Sequence, residues 1–205
     1  MQKHEIKKLS QINEAQAAQA FEVYTESFYD MMSKTITKDK AKLRAIYEAC
    51  FDRELVYVYL LEGRVVGFLG YATQGNHSIK PQRNVMAKHL GLWGHGVHWG
   101  LNYYQPKAES ANHAIIEYCA VCPSARGQGV GARLIEHLCD VLPHTEFTLE
   151  TTEENSSAVR LYSKLGFVKL PKKLSVLVRG FAKVFKLGTP IYMKLQVASS
   201  MKNVQ

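Results

Sequence analysis

The chain has 205 residues, with 26 Lys and Arg against 18 Asp and Glu, for a formal charge of +8. Apolar residues at 46% and charged residues at 21% are those of a globular domain and exclude a disordered or fibrous chain, and at this length the core needs neither a disulfide nor a metal staple. The charge is unevenly placed: from Asn155 onward ten basic residues stand without one Asp or Glu, whereas residues 1–154 hold sixteen basic and eighteen acidic residues.

Asn13 can cap a first helix whose apolar residues Ala17, Ala20, Phe21, Tyr24, Phe28 and Met31 recur at three and four. Thr37 can cap a second, carrying Leu43, Ile46, Tyr47, Cys50 and Phe51. Two packed helices thus open the chain. Leu55–Leu61 and Val65–Thr73, separated by Glu62-Gly63-Arg64, read as a β-hairpin. The next apolar run, Ala114–Val121, follows after about 38 residues rich in Gly, His, Lys and Trp, too long for a structureless loop, so helical pieces are expected around Pro81–Leu92. HAIIEYCAV then leads through CPSARGQGVG into a helix with a buried stripe of Leu134, Ile135, Leu138, Val141 and Leu142. A strand at Phe147–Thr151, Asn155 as N-cap of a helix carrying Val159, Tyr162 and Leu165, Gly166 as its terminator, and strands at Phe167–Leu170 and Pro190–Val197 complete the order. This is a mixed α/β chain, with antiparallel hairpins around one strand–helix–strand unit.

Gly127, Gly129 and Gly131, between a strand and a helix, let successive N–H groups point at one ligand, and such a nest suits a phosphate or pyrophosphate. GQGVGA fits a dinucleotide fingerprint only loosely, with Ala132 in the last place, and no Walker Gly-Lys-Ser/Thr follows. AVCPSARGQGVGARLIEHL resembles the acetyl-coenzyme A signature of the GNAT superfamily of N-acetyltransferases through Arg126, Gly129 and Gly131. ENSSAVRLYSKLGF resembles a second stretch of that family through Asn155, Ala158, Tyr162, Gly166 and Phe167. The resemblance is sharp from Ala120 to Phe167 and covers Val56 to Val197 in outline; about 75–112 and 171–188 stand out as insertions in one domain spanning 1–205.

The resemblance implies a central, mostly antiparallel sheet with its fourth and fifth strands parallel, flanked by helices. It implies acetyl-coenzyme A as co-substrate, its pyrophosphate on the loop Arg126, Gly127, Gln128, Gly129, Val130, Gly131 and Ala132, and its pantetheine arm along Val121 and Cys122. Asn155, Ala158 and Tyr162 match the second motif, and Lys164, like Arg126, could add positive potential. Tyr162 holds the position from which the family's tyrosine protonates the leaving sulfur. Acetyl transfer to an ammonium of pKa near 10.4 also needs a base. Glu150, at a strand end, resembles the position of a base in protein-acetylating members; Glu117, inside an apolar strand, is the second candidate, because a buried acid is costly unless partnered or functional.

His95/His98 and Cys119/Cys122 do not make a structural zinc set, so no metal is expected, and the four cysteines Cys50, Cys119, Cys122 and Cys139 read as reduced thiols. No apolar run reaches the ~20 residues that span a bilayer and the N-terminal residues lack an apolar signal core, so a cytoplasmic location is expected. Wound as a helix, Leu174–Leu187 sets Leu174, Leu177, Val178, Phe181, Val184 and Phe185 on one face and Lys172, Arg179, Lys183 and Lys186 on the other, which suits a lid or, over 172–186, an anionic surface; it argues less for nucleic acid. The family resemblance implies that both insertions lie at the end of the sheet opposite the glycine loop, bordering the acceptor. The expected activity is N-acetyl transfer to a small-molecule or peptide amine by direct attack in a ternary complex. The rivals are an acetyltransferase for protein N-termini or lysines and a non-catalytic acyl-coenzyme A sensor, and the sequence leaves a homodimer open.

Overall fold

A computed structural model describes residues 3–171, 180 and 183–197. In chain order it contains β1 (His4–Lys8), α1 (Glu14–Thr35), α2 (Lys40–Cys50), β2 (Val56–Leu61), β3 (Arg64–Ala72), α3 (Arg83–Leu90), α4 (Trp93–Tyr103), β4 (His113–Val121), α5 (Val130–Val141), β5 (Glu146–Thr152), α6 (Ser156–Lys164), β6 (Val168–Leu170) and β7 (Pro190–Gln196). The strands form one seven-stranded sheet in the order β1-β2-β3-β4-β5-β7-β6, in which β4 and β5 are the parallel pair. This is the mixed, mostly antiparallel sheet expected.

Period-two alternation sends Val56, Val58 and Leu60 of β2 to one face and Tyr57 and Tyr59 to the other. Phe21 and Tyr24 of α1, Leu43 and Tyr47 of α2, Met86 of α3 and Val97 of α4 pack on the first face with Phe68. Leu134 and Leu138 of α5, with Tyr162 of α6, pack on the second with Phe147 and Leu149. The Glu62-Gly63 turn holds both residues at positive φ (51° and 81°), the geometry of a two-residue hairpin, and Arg64 already belongs to β3.

Several local expectations change. A strand, β1, precedes the helices; HEIKK has one apolar residue and no alternation, as befits a charged edge strand. Asn13 caps α1 as read, but α2 is capped by Asp39, whose side chain accepts from Lys42 N at 3.1 Å, while Thr37 Oγ1 accepts from Asp39 N. The long link between β3 and β4 holds two helices, and the second, α4, forms despite Gly94, Gly96 and Gly100. Gly94 has a packing reason: a Cβ there would lie 2.3 Å from the Met86 carbonyl oxygen, so the glycine lets α3 and α4 touch. Val141, expected in the buried stripe of α5, is exposed at the last position of the helix.

The strand directions also correct the expected placement of the insertions. The link from β3 to β4 begins at the end of the sheet where β4 starts, whereas the link from β6 to β7 lies at the end where β4 and β5 finish, on the side of the glycine loop. Both still touch one place, the C-terminal end of α1. Trp93 Nε1 donates to the Ile36 carbonyl (3.2 Å), and Lys34 Nζ donates to the Lys186 carbonyl (3.4 Å). Most of the proposed cationic helix, including Lys172, Leu174, Leu177, Val178, Arg179 and Phe181, lies outside the described residues; Val184, placed on its apolar face, is exposed.

Candidate active site

The site is built by strands that pair and then part. β4 and β5 are in register from His113↔Glu146 to Ile116↔Leu149, yet β4 runs on to Val121 and β5 to Thr152. Tyr118 to Val121 keep β3 on one side and, like Glu117, have no β5 partner, so their facing N–H and C=O groups border an opening. A bulge starts this stretch: Tyr71 pairs with Ile116 and Gly70 with Tyr118, which leaves Glu117 as the extra residue.

The open strand leads into the glycine loop. Gly127 (φ +78°) and Gly129 (φ +79°) are left-handed, with nothing within 4 Å of where a Cβ would stand. Gly129 is the N-cap of α5, and no side chain caps that helix, so its first N–H groups face the space beside the loop. Gly131 does a different job. A Cβ there would lie 3.1 Å from Leu161 Cδ2, so this glycine seats α5 against α6. Val130 is buried against β3, at Gly67, and Ala132 is half-buried. Arg126 is exposed, its Nε donating to the Val121 carbonyl (3.2 Å), and Gln128 Nε2 donates to the Ser124 carbonyl (3.1 Å).

The two candidate carboxylates, Glu117 and Glu150, are each the first residue beyond the last β4–β5 pair. Leu149 packs on the α5 side, so by alternation Glu150 points to the α1 side, where it is exposed. Its cross-strand neighbour is Tyr192, whose phenol is pushed up to about 12 by burial and then by the Glu150 charge. Glu117 also turns to the α1 side, but its side chain is only 4% exposed. Its carboxylate accepts from Ser78 N (2.8 Å) and Ser78 Oγ (2.6 Å) and meets His77 Nδ1 at 2.8 Å.

Tyr162 lies across the sheet from both. It is buried in the second core, its ring 5.9 Å from Phe167, and its phenol is raised far above the usual range by burial and then by Cys119 of the open stretch. Burial pushes the Cys119 thiol up to about 12, and Cys122 Sγ lies 3.3 Å from Ser124 Oγ. The opening is thus flanked by carboxylates on one face and a protonated phenol on the other. Asn155 and Ala158 serve the helix itself: Asn155 Oδ1 accepts from Ala158 N (3.3 Å) and from Ser157 Oγ. Lys164 is exposed in the last turn of α6, at the far end from Asn155.

Sequence reasoning does not reach Gly70, His77 and Ser78. A glycine inside the apolar strand RVVGFLGYA was the available signal, since it marks a close approach. A Cβ on Gly70 would stand 2.7 Å from Ser78 Oγ and 3.3 Å from Tyr118 Cδ2. Gly70→Ala is therefore expected to displace Ser78 from Glu117 and lower stability by about 1–3 kcal/mol, measured by urea denaturation; unchanged stability would show that Ser78 yields without loss.

All four cysteines are free, and no helix among the described residues is long and apolar enough to cross a membrane. A model of the acetyltransferase (GNAT) family matches residues 12–167. The chain is 33% identical over 57 residues to a 5-NmdU N-acetyltransferase of Pseudomonas phage PaMx11, covering 28% of this chain and 41% of that protein. It is 37% identical over 68 residues to the peptidyl-lysine N-acetyltransferase YjaB of Salmonella typhimurium, covering 33% and 39%. The matches thus span about two fifths of the length of these curated relatives. Among solved structures, an N-acetyltransferase from Staphylococcus aureus Mu50 is similar at a TM-score of 0.59 and 19% identity, over 94% of this chain and 100% of that one. The structure of yncA from Salmonella typhimurium with its cofactor acetyl-CoA is similar at a TM-score of 0.52 and 16% identity, over 95% and 94%. With the family match running from Ile12 through the glycine loop to Phe167, the chain belongs to the acetyltransferase (GNAT) family.

Proposed function

We propose that the protein moves the acetyl group of acetyl-coenzyme A to a primary amine by direct attack in a ternary complex. The observation that carries this reading is the opening between β4 and β5, which runs without a break into an uncapped helix N-terminus. Its unpaired strand edge suits the amide-bearing pantetheine arm, with the backbone of Val121 and Cys122 nearest the loop. The N–H groups from Gly127 to Ala132, with Arg126 beside them, suit the pyrophosphate, and the space over Gly127 and Gly129 leaves room for it. Lys164 adds positive charge more remotely.

When bound, acetyl-coenzyme A supplies an activated acetyl thioester; the chain supplies orientation and proton handling. Glu117 and Glu150 supply the negative charge that favours deprotonation of the amine on the α1 side, and Tyr162, which burial keeps protonated, donates a proton to the departing thiolate on the other. The two curated relatives are named for unlike acceptors, 5-NmdU and peptidyl lysine, so they support N-acetyl transfer rather than any one acceptor. The test is free-thiol release from acetyl-coenzyme A over a panel of small amines, N-terminal peptides and lysine peptides. Turnover of small amines is expected. Turnover of peptides alone would move the reading to protein acetylation, and tight cofactor binding without thiol release on any acceptor would replace it with a sensor.

A further inference from the structure

The β3–β4 link does more than extend the fold, because it delivers a histidine to a buried carboxylate at the opening. We propose that His77 is the general base of the transfer and that Glu117 is its positioning residue, an inference that rests on the reading of the protein as an amine N-acetyltransferase. An ionised carboxylate only accepts hydrogen bonds, so in the 2.8 Å contact between Glu117 Oε1 and His77 Nδ1 the proton sits on Nδ1. The remaining lone pair of the ring is on Nε2, and Glu117 is the one hydrogen-bond partner of the ring among the described residues.

Chemistry and access decide between the two members of the pair. Three hydrogen bonds already occupy the Glu117 oxygens, whereas the ring keeps its Nε2 lone pair for a substrate. Access points the same way: the His77 side chain is 17% exposed against 4% for Glu117, so the proton leaves the pair through the ring.

The histidine is held rigidly enough for this work. Thr73 and Asn76 exchange backbone hydrogen bonds (2.9 and 3.1 Å) around Gly75 at φ +78°, which fixes the turn before it. After it, the Ser78 carbonyl accepts from Asp52 N and Lys80 N donates to the Cys50 carbonyl, both at 2.8 Å, tying the segment to the end of α2. The groups around the pair are the phenols of Tyr24 on α1 and Tyr118 on β4, with Tyr47 of α2 packed behind Tyr24 and the Asp52–Lys80 ion pair (2.7 Å) flanking Ser78.

In the step itself, an ammonium proton passes to Nε2 and gives an imidazolium paired with the Glu117 carboxylate. The imidazolium passes this proton to water; the freed amine lone pair forms the C–N bond to the acetyl carbon as the C–S bond breaks, the thiolate takes the Tyr162 proton, and the second proton of the acylated nitrogen passes to Nε2 and, through water, restores the Tyr162 phenol. The pH–rate profile of His77→Ala and of His77→Gln, on the best amine of the panel, tests this. Rates at pH 7 about 100-fold or more below wild type, with acetyl-coenzyme A affinity held and partial rescue of His77→Ala by added imidazole, are expected. A rate and acid limb equal to wild type would overturn the assignment and leave N-acetyl transfer standing; absence of thiol release by the wild-type protein on any amine would overturn both. Should either variant fold poorly, NMR titration of the His77 ring in the wild-type protein and in Glu117→Gln decides the same question. A lower ring pKa in Glu117→Gln supports the pair, and an equal one overturns it.

Discussion

Gly129→Val is expected to weaken acetyl-coenzyme A binding by roughly 10²–10⁴-fold. The residue is the N-cap of α5 at φ +79°, a conformation that a β-branched side chain reaches only with strain of order 1–3 kcal/mol. Nothing lies within 4 Å of a Cβ there, so the substitution meets no neighbour and the loss to the fold is that strain alone. The valine escapes the strain by turning its backbone, and the turn swings the first N–H groups of α5 away from a common point. Losing two amide contacts to phosphate, each worth about 1.5–3 kcal/mol, gives about 3–6 kcal/mol and hence the stated range. Titration calorimetry reads the affinity and a thermal melt reads the fold. Binding within about threefold of wild type would remove this loop as the phosphate cradle. Gly131→Ala is the instructive contrast, because Leu161 lies 3.1 Å from its Cβ and the effect there falls on packing.

That contrast also marks what could be read in the sequence. GQGVG announced a strand–loop–helix ligand site, since glycine spacing, a preceding apolar run and a following amphipathic stripe all pointed to one unit. It could not say that Gly127 and Gly129 are needed for backbone conformation while Gly131 is needed for room, because that division depends on where α6 lies. Asn155 was legible as a cap because capping is local, and the same locality hid the second half of the site. The opening between β4 and β5 follows from a one-residue bulge at Glu117, and a bulge leaves no trace in an apolar run such as AIIEYCAV. His77 and Ser78 reach Glu117 across a sequence separation of about forty residues, through a turn whose letters, QGNHS, carry only turn chemistry. The acid in the apolar strand was itself the pointer: its position demanded a partner, and the partner was what sequence reasoning could not name. Likewise α4 was masked by three glycines, one of which is there to let two helices touch.

The phenols on the two faces of the sheet set the upper limit of the working pH. Burial raises the pKa of Tyr24, Tyr47 and Tyr162 above their value in the unfolded chain, with smaller contributions from neighbouring groups. The sign follows from proton counts: above pH ~10 the unfolded chain has released these protons and the folded one retains them, so the unfolded state binds fewer protons and stability falls as pH rises. Below pH ~10 both states hold them and they contribute no slope. Each such group contributes a decline of about 1.4 kcal/mol per pH unit once it has titrated in the unfolded state, and Tyr118, raised by burial in the same way, adds to the three, enough together to exhaust an ordinary stability of 5–15 kcal/mol within a few units. An amine of pKa near 10.4 gains free base as pH climbs, so activity should rise, level off once the enzyme's own base is unprotonated, and then collapse with the fold rather than with the chemistry. Tyr24→Phe separates the two. The Tyr24 hydroxyl is buried against the phenols of Tyr47 and Tyr118 with no hydrogen bond of full geometry, so removing it loses only weak hydroxyl contacts and relieves a desolvated group worth about 1–3 kcal/mol. Urea denaturation at pH 7 and pH 10.5 should find the variant at least as stable as wild type at the first and further ahead at the second, because one of the buried titrating phenols is gone. An equal loss in both proteins between the two values would show that alkaline unfolding is driven from elsewhere in the molecule.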